Sequence, residues 1–362
     1  MNIITYFDSI ADFRMINKCY HKLSDILLIG LFTYLSNGQD YEDMVLFGKT
    51  HIVFLKEFIE LPNGIPSHDT FNRVFTLLEP SLLREFLTDY GKELIDVLSE
   101  RQICLDGKKL KGVSPTKKGN KGLYIVNAWV CENRLCIGQK KVDDKSNELT
   151  AIPALIEEID VTNALVTIDA IGCQTHIASQ IVDQKGHYLL AVKKNQNNLL
   201  EDMVCSFKAT KSVDLSEEWE YERGRFETRK CSLLPAQEVL LDEILQQWKN
   251  IKTLIRIESK RIIGEKETIH IRYYISDKEG NATYFNRLVR DRWGIENRLH
   301  WHLDVTFDED ACRVRTGNAP ENLATLRKIT LQIIEQQDDK LSLKKRRVKA
   351  AYDVNYLRKL VE

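Results

Sequence analysis

No two cysteines of this chain are spaced as C-x-x-C, although there are eight among 362 residues. Zinc-finger spacing is missing as well, so no structural zinc module is expected. Several cysteines, Cys104 and Cys173 among them, fall in apolar segments, which predicts buried, reduced thiols in a cytosolic protein. Long apolar runs are also lacking. The longest, around Ile26 to Leu35, is too short to cross a bilayer and predicts a buried helix. The start, Met1-Asn2-Ile3-Ile4-Thr5-Tyr6, has no basic stretch leading into an apolar core, so neither a secretory signal nor a membrane partner is expected. Charge of one sign does not dominate: the formal net charge is -1, and total charge gives no argument for a nucleic-acid partner. No low-complexity tract interrupts an ordinary globular composition.

The distribution of charge says more than its sum. Lys108, Lys109, Lys111, Lys117, Lys118 and Lys121 form one basic cluster. Lys344, Lys345, Arg346, Arg347 and Lys349 form another. Lys193 and Lys194 follow a short apolar run. Each is readable as a solvated face or as a contact with DNA backbone.

The length allows two or three domains. Residues 1–98 read as helical, with a buried run at Ile26 to Leu35 and helical spacing from Val45 to Leu61 and from Leu82 to Leu98. A further helix begins after Pro62-Asn63-Gly64, with Ser67 as its N-cap. That region is either a helix-turn-helix-like DNA reader or a plain helical packing domain. From residue 99 the pattern changes. Strands are expected at Ile103 to Asp106, Leu123 to Cys131, Leu135 to Val142, Ala164 to Asp169 and His187 to Val192. Helices are expected at Asn147 to Ile159 and Gln174 to Gln184. The second and third strands join at Glu132-Asn133 as a hairpin. This order predicts an α/β fold with a mixed five-stranded sheet, in which the first and fourth strands are neighbours. A strand-rich insertion spans about 205–275, with strands at Glu220 to Arg229, Thr253 to Ser259 and Thr268 to Ile275. Helix returns at Tyr284 to Leu303, Asn318 to Gln336 and Ala350 to Val361.

Three acids stand out in this frame. Asp106 and Asp169 close short apolar, β-branched runs, and Glu296 lies on the helix from Tyr284 to Leu303. Carboxylates at buried strand tips need a partner or a metal ion. If they converge with Glu296, their repulsion is relieved by divalent cations, and two ions suit phosphodiester chemistry. The bland reading of each aspartate is a turn cap. Glu296 shares its helix face with Arg292, His300 and Asp304, so a salt-bridged surface is its alternative. Gly107 and Ala170, beside the aspartates, are small enough to leave room for substrate. Asp308, Glu309 and Asp310 form an acidic run that could supply another carboxylate. His300 and His302 point apart and make a poor zinc pair.

The stretch Arg292-Trp293-Gly294-Ile295-Glu296-Asn297-Arg298-Leu299-His300-Trp301-His302-Leu303-Asp304-Val305 resembles bacterial insertion-sequence transposases of the DDE type. It is most similar to the branch of H-repeat-associated proteins. Leu105-Asp106-Gly107-Lys108, Thr167-Ile168-Asp169-Ala170 and the run from Arg223 to Arg229 resemble the same branch, and Phe7-Asp8 through Phe71 resembles its N-terminal domain. The resemblance implies an RNase H-like catalytic domain over 99–362, with Asp106, Asp169 and Glu296 as a triad holding Mg²⁺ or Mn²⁺. It implies cleavage and strand transfer at terminal inverted repeats, a homodimer on DNA, and a place in the bacterial cytoplasm at the nucleoid. Residues 1–98 would take part in end recognition. Arg292, Lys193, Lys194, Lys108, Lys345, Arg346 and Arg347 are the expected DNA contacts. The wider family's Tyr-Arg-Glu-Lys signature is broken here: Val289 and Leu303 stand at the tyrosine and lysine positions, and Arg223 replaces an expected histidine. A DNA-binding remnant without catalysis and a nuclease without strand joining remain the alternatives.

Overall fold

The structure, a computed structural model, describes residues 2–95, 101–113, 122–142, 147–222 and 224–362. Leu98 and the 98/99 boundary, Lys117, Lys118, Lys121 and Arg223 lie outside the described residues.

The chain opens with α1 (Ile3–Ser9), α2 (Leu23–Leu35), α3 (Tyr41–Thr50), α4 (Ile52–Leu55), α5 (His68–Leu77) and α6 (Pro80–Glu93). Short polar side chains start several of them: Asn2 caps α1, Asp40 caps α3, and Ser67 caps α5 through Thr70 N at 3.3 Å, as expected. The helical spacing from Val45 to Leu61 breaks at His51, so that two helices stand there. Helix α2 is apolar all round and buried from Asp25 to Leu35, the pattern of a central helix.

The sheet strands are β1 (Gln102–Leu110), β2 (Leu123–Val130), β3 (Leu135–Lys141), β4 (Leu165–Ile168), β5 (His187–Val192), β6 (Asp214–Glu222), β7 (Arg225–Pro235), β8 (Thr253–Ile263) and β9 (Lys266–Ser276). Between them lie α7 (Glu148–Glu158), α8 (Thr175–Asp183), α9 (Asn197–Ala209), α10 (Ala236–Val239) and α11 (Asp242–Gln247). After β9 come α12 (Ala282–Asp291), a π-helical turn (Ile295–His300), α13 (Trp301–Val305), α14 (Ala319–Glu335), α15 (Leu343–Tyr352) and α16 (Val354–Lys359).

All nine strands form one mixed sheet in the order β3-β2-β1-β4-β5-β9-β8-β7-β6, where five were expected. The insertion is not set apart, because β9 pairs antiparallel with β5 from Leu189↔Ser276 to Val192↔Tyr273. A buried β5 with one open edge needs a partner for its backbone groups. The stretch from Glu220 to Arg229 is a hairpin rather than one strand, with Gly224 at φ 73 in its turn. In the β2–β3 hairpin the left-handed residue is Arg134, at φ 56. Both pairings of β4, with β1 and with β5, are parallel.

The β1 to β5 part of the sheet is covered on both faces. On one, α7 and α8 bury Ile152, Leu155, Ile177 and Ile181 against Val126, Val166 and Ile168. On the other, the N-terminal helices share a single apolar core with α13 to α16, which also takes in Trp129 and Cys136 of the sheet. Helix α14 is the hub. It is buried from Ala319 to Ile334 and packs between α2, α5 and α6 on one side and β3 on the other. Its polar side chains satisfy carbonyls of α5 and its C-cap, of α6 and of β3: Asn322 Nδ2 donates to Phe75 O and Leu78 O, and Gln332 Nε2 to Leu87 O and Cys136 O.

Candidate active site

Strand β1 runs parallel to β4 with Gln102 opposite Leu165 and Leu105 opposite Ile168. The next residue on each strand is an acid, Asp106 on one and Asp169 on the other. Both sit where the carboxyl end of β4 leaves the sheet, the side on which open α/β sheets place ligands. Asp169 ends its strand and caps the short turn that follows, its Oδ1 accepting from Ile171 N at 3.0 Å. Asp106 does not end a strand. β1 continues to Leu110 because its other edge pairs with β2, Asp106 facing Asn127.

Glu296 comes from the π-helical turn between α12 and α13. That turn buries Ile295 and Leu299 and leaves Glu296 exposed. Such turns recur at functional sites. Two neighbours of Glu296 reach the strand acid: Arg292 Nη2 lies 3.7 Å from Asp106 Oδ1, and His300 Nδ1 lies 3.7 Å from Oδ2. Burial pushes the Asp106 carboxyl up to about 7; Arg292 opposes this, while the charges of Glu296, Asp169 and Glu148 add to it. Burial, with Lys108 and Lys328 nearby, brings His300 down to about 3, so its ring is neutral at physiological pH and its contact with Asp106 is not an ion pair. Asn127 Nδ2 sits 3.4 Å from the ring's other nitrogen. Among the described residues the buried Nε of Arg292 has no hydrogen-bond partner.

Glu148 and Tyr124 were not legible as site residues. Glu148 starts α7 behind its cap, Asn147, and nothing in its local sequence points at the aspartates. In the fold its carboxyl is pushed up by burial, held partly in check by the Tyr124 hydroxyl, and raised again by Asp169. The room beside Gly107 belongs to this pair. A Cβ there would lie 2.4 Å from Tyr124 Cε1 and 2.6 Å from Glu148 Oε1. Gly107 therefore admits protein side chains, not an open substrate space. Among the described residues no group of three or more His, Cys, Asp or Glu side chains is already clustered as a metal site.

Three expected DNA contacts are turned inward. Lys108 is buried, its Nζ 2.5 Å from Asp304 Oδ1 and 2.6 Å from Glu309 Oε2. β-Strand alternation aims Lys109 outward and Lys108 at α13. Arg346 and Arg347 are buried too. Arg346 donates to Ile334 O, Gln337 O and Asp339 O, closing the end of α14. Arg347 donates to Tyr34 O at 2.7 Å, to Gly38 O at 2.9 Å and to Thr306 O, with its guanidinium over Phe307. Orphan carbonyls at helix ends take up these donors. The run from Lys344 to Lys349 is helical, so its charges divide between two faces: Lys344, Lys345 and Lys349 are exposed, the two arginines are buried. Lys193 and Lys194 are exposed just past β5, at the sheet end that carries Asp169, and Asn195 Nδ2 ties that loop to Ala170 O at 2.5 Å.

Two acids of the run after α13, Glu309 and Asp310, are taken up by lysines, and Asp308 is exposed. Glu309 is fully buried: burial pushes its carboxyl up, but Lys108, Lys328 and Arg327 outweigh that and hold it low. Asp310 pairs with Lys111 at 2.7 Å. Val289 and Leu303 are core residues. Cys173 is buried as well.

An acid inside β1, a second just past the end of the parallel β4, and a third on the helix that returns after β6 to β9 are the arrangement of the DDE class of proteins. Residues 98–333 match the family described as "Transposase DDE domain", and residues 4–90 match "DDE_Tnp_1-associated". The chain is 35% identical to the "H repeat-associated putative transposase YhhI" of Escherichia coli K12, over 98% of this chain and 96% of that protein. It is also 35% identical to YbfL of the same strain over the same shares, and 34% identical to "Putative transposase YncI" of Escherichia coli O157:H7 over 99% of this chain and 94% of that protein. The chain belongs to the DDE transposase family, in the branch of the H repeat-associated proteins.

Proposed function

We propose that this chain is a transposase that cuts DNA at the ends of its own insertion sequence and joins the freed ends to target DNA. The observation that carries this reading is the parallel register of β1 and β4, which brings Asp106 and Asp169 together with Glu296 near enough to disfavour the Asp106 charge. Strands β3-β2-β1-β4-β5 are then an RNase H-like core over 99–362, and β6 to β9 extend it. Residues 1–98 contribute to recognition of the element's ends as double-stranded DNA, and a homodimer assembles on that DNA.

Asp106, Asp169 and Glu296 would hold two Mg²⁺ or Mn²⁺ ions, which supply the positive charge that activates water and stabilises the leaving oxygen of a phosphodiester. The donors fit: all are hard oxygens, and burial, with the charges of Glu296, Asp169 and Glu148 added to it, disfavours the ionised Asp106 that a divalent cation would favour. Binding requires the exposed Glu296 to close toward the aspartates. Arg292, whose buried Nε has no hydrogen-bond partner among the described residues, is assigned to a phosphate oxygen. Lys193, Lys194 and Lys345 are exposed and serve as backbone contacts. His300, held neutral, and Asn127 fix the position of Asp106.

The test is incubation of the full chain with DNA carrying the sequences that flank its coding region, a target plasmid and Mg²⁺. Nicked ends and joined products are expected from the wild type. Asp106→Asn should yield neither while still binding the duplex. Cleavage without joining supports the nuclease alternative, and binding without cleavage supports the inactive remnant.

A further inference from the structure

On the face of the sheet that carries α12, the strand extension forms a concavity of about 530 Å³. Its walls come from β7, β8 and β9 on one side and the end of α12 with Trp293 and Asn297 on the other. The register explains its composition. Toward the body of the protein, Leu233, Ile255 and Tyr274 stand side by side on β7, β8 and β9 and are buried under Phe285 and Val289 of α12. Two residues further out, Cys231 and Ile257 are still core, but Arg272 follows on β9. The next row reads Glu218, Arg229, Ser259, His270. The sheet thus changes from apolar to charged where α12 ends. Five arginines line the concavity against two glutamates.

Most of these arginines already have partners. Arg229 holds Glu218 at 2.9 Å and Asn286 at 3.0 Å, Arg290 holds Glu220 at 2.9 Å, and Arg261 lies 3.4 Å from Glu227. Arg272 differs. Among the described residues it has no carboxylate partner, and its guanidinium lies 5.5 Å from the centre of the half-exposed Trp293 ring. A guanidinium stacked on an indole keeps its donor edges free. Trp293 follows Arg292, and Asn297 follows Glu296, so the inner wall of the concavity is built from the neighbours of two site residues.

We infer that this groove is a binding track for the sugar-phosphate backbone of the DNA strand leaving the Asp106 site, with Arg272 meeting a phosphate and Arg261 a second one further out. The inference rests on the transposase reading. A phosphate on Arg272 extends a row of arginines from Arg292 through Arg272 on β9 to Arg261 on β8. The paired glutamates keep the other guanidiniums in fixed orientations, so little side-chain freedom is given up on binding.

The experiment measures binding of a labelled mixed-sequence duplex to the full chain across a series of KCl concentrations, with EDTA to prevent cleavage. Removing one arginine–phosphate ion pair lowers the slope of log K against log salt by about 1. Arg272→Ala should remove one such ion pair and Arg261→Ala/Arg272→Ala both, whereas Arg272→Lys should keep the slope. Far-UV circular dichroism checks that the variants fold; both arginines are at least partly exposed, so no core is disturbed. If the wild type binds and both alanine variants keep its slope and affinity, the groove is not a DNA track, although the transposase reading stands. If the wild type does not bind duplex DNA at any salt concentration, both readings fall.

Discussion

Replacing Lys108 with methionine isolates the role of a charge that the sequence offers to DNA and the fold keeps for itself. The ammonium is 8% exposed, Glu309 is 0% exposed, and Asp304 is 33% exposed. The pair with Asp304 is open to solvent and contributes little. The pair with Glu309 is closed. Removing one partner of a buried pair costs about 3–5 kcal/mol, because the remaining charge is left uncompensated. Here Lys328 and Arg327 still face Glu309 and the stem of methionine fills the same space, so the lower figure, about 3 kcal/mol, is expected. That is a large part of the roughly 5–15 kcal/mol usual for a domain. Urea unfolding followed by tryptophan fluorescence measures it. Lys108→Met/Glu309→Gln should be destabilised by less than the sum of the two single variants, since each alone already abolishes the interaction. The reasoning is refuted if Lys108→Met costs under about 1 kcal/mol and instead flattens the salt dependence of DNA binding, because that is the behaviour of a lysine free to meet phosphate.

Arg347→Met should destabilise the fold by about 3 kcal/mol or more, since it leaves the carbonyls of Tyr34, Gly38 and Thr306 without their donor, yet should not alter DNA affinity; chemical denaturation and duplex titration read the two effects separately. Gly107→Ala should cost about 1–3 kcal/mol and push Glu148 and Tyr124 off β1, visible as a lower Tm. The lowered native pKa of Glu309 gives stability that is fully present above its unfolded value of about 4.3 and is lost as pH falls through the native value. An acid titration of the urea midpoint should therefore fall more steeply in the wild type than in Glu309→Gln.

Local signals carried much of this structure. Ser67, Asn147 and the strands around Asp106 and Asp169 are set by capping chemistry and by apolar runs, which act over a few residues. Handedness and strand order allow β1 and β4 to be neighbours, and they pair. What the sequence hid was decided by distant partners. β1 runs past Asp106 only because β2 lies beside it, and β9 joins the sheet only because β5 has an open edge. The orientation of Lys108 and Arg347 depends on Glu309 and on helix ends that are far away in sequence, and that of Arg346 on the end of α14 just before it. Glu148 sits near Asp106 through the packing of α7 on the sheet, which no local pattern records. The bend that re-aims Glu296 is a π-helical turn, invisible to a period of 3.6 residues.

The central claim is that Asp106, Asp169 and Glu296 act together on a phosphodiester. The most direct measurement is end cleavage in Mg²⁺ by the wild type and by Asp106→Asn, Asp169→Asn and Glu296→Gln, with duplex binding recorded on the same preparations. The account predicts that the wild type nicks its flanking sequences only when the divalent ion is present, and that each variant loses cleavage while keeping DNA affinity and fold. Cleavage that persists in any one of the three variants, or that proceeds equally well in EDTA, contradicts it.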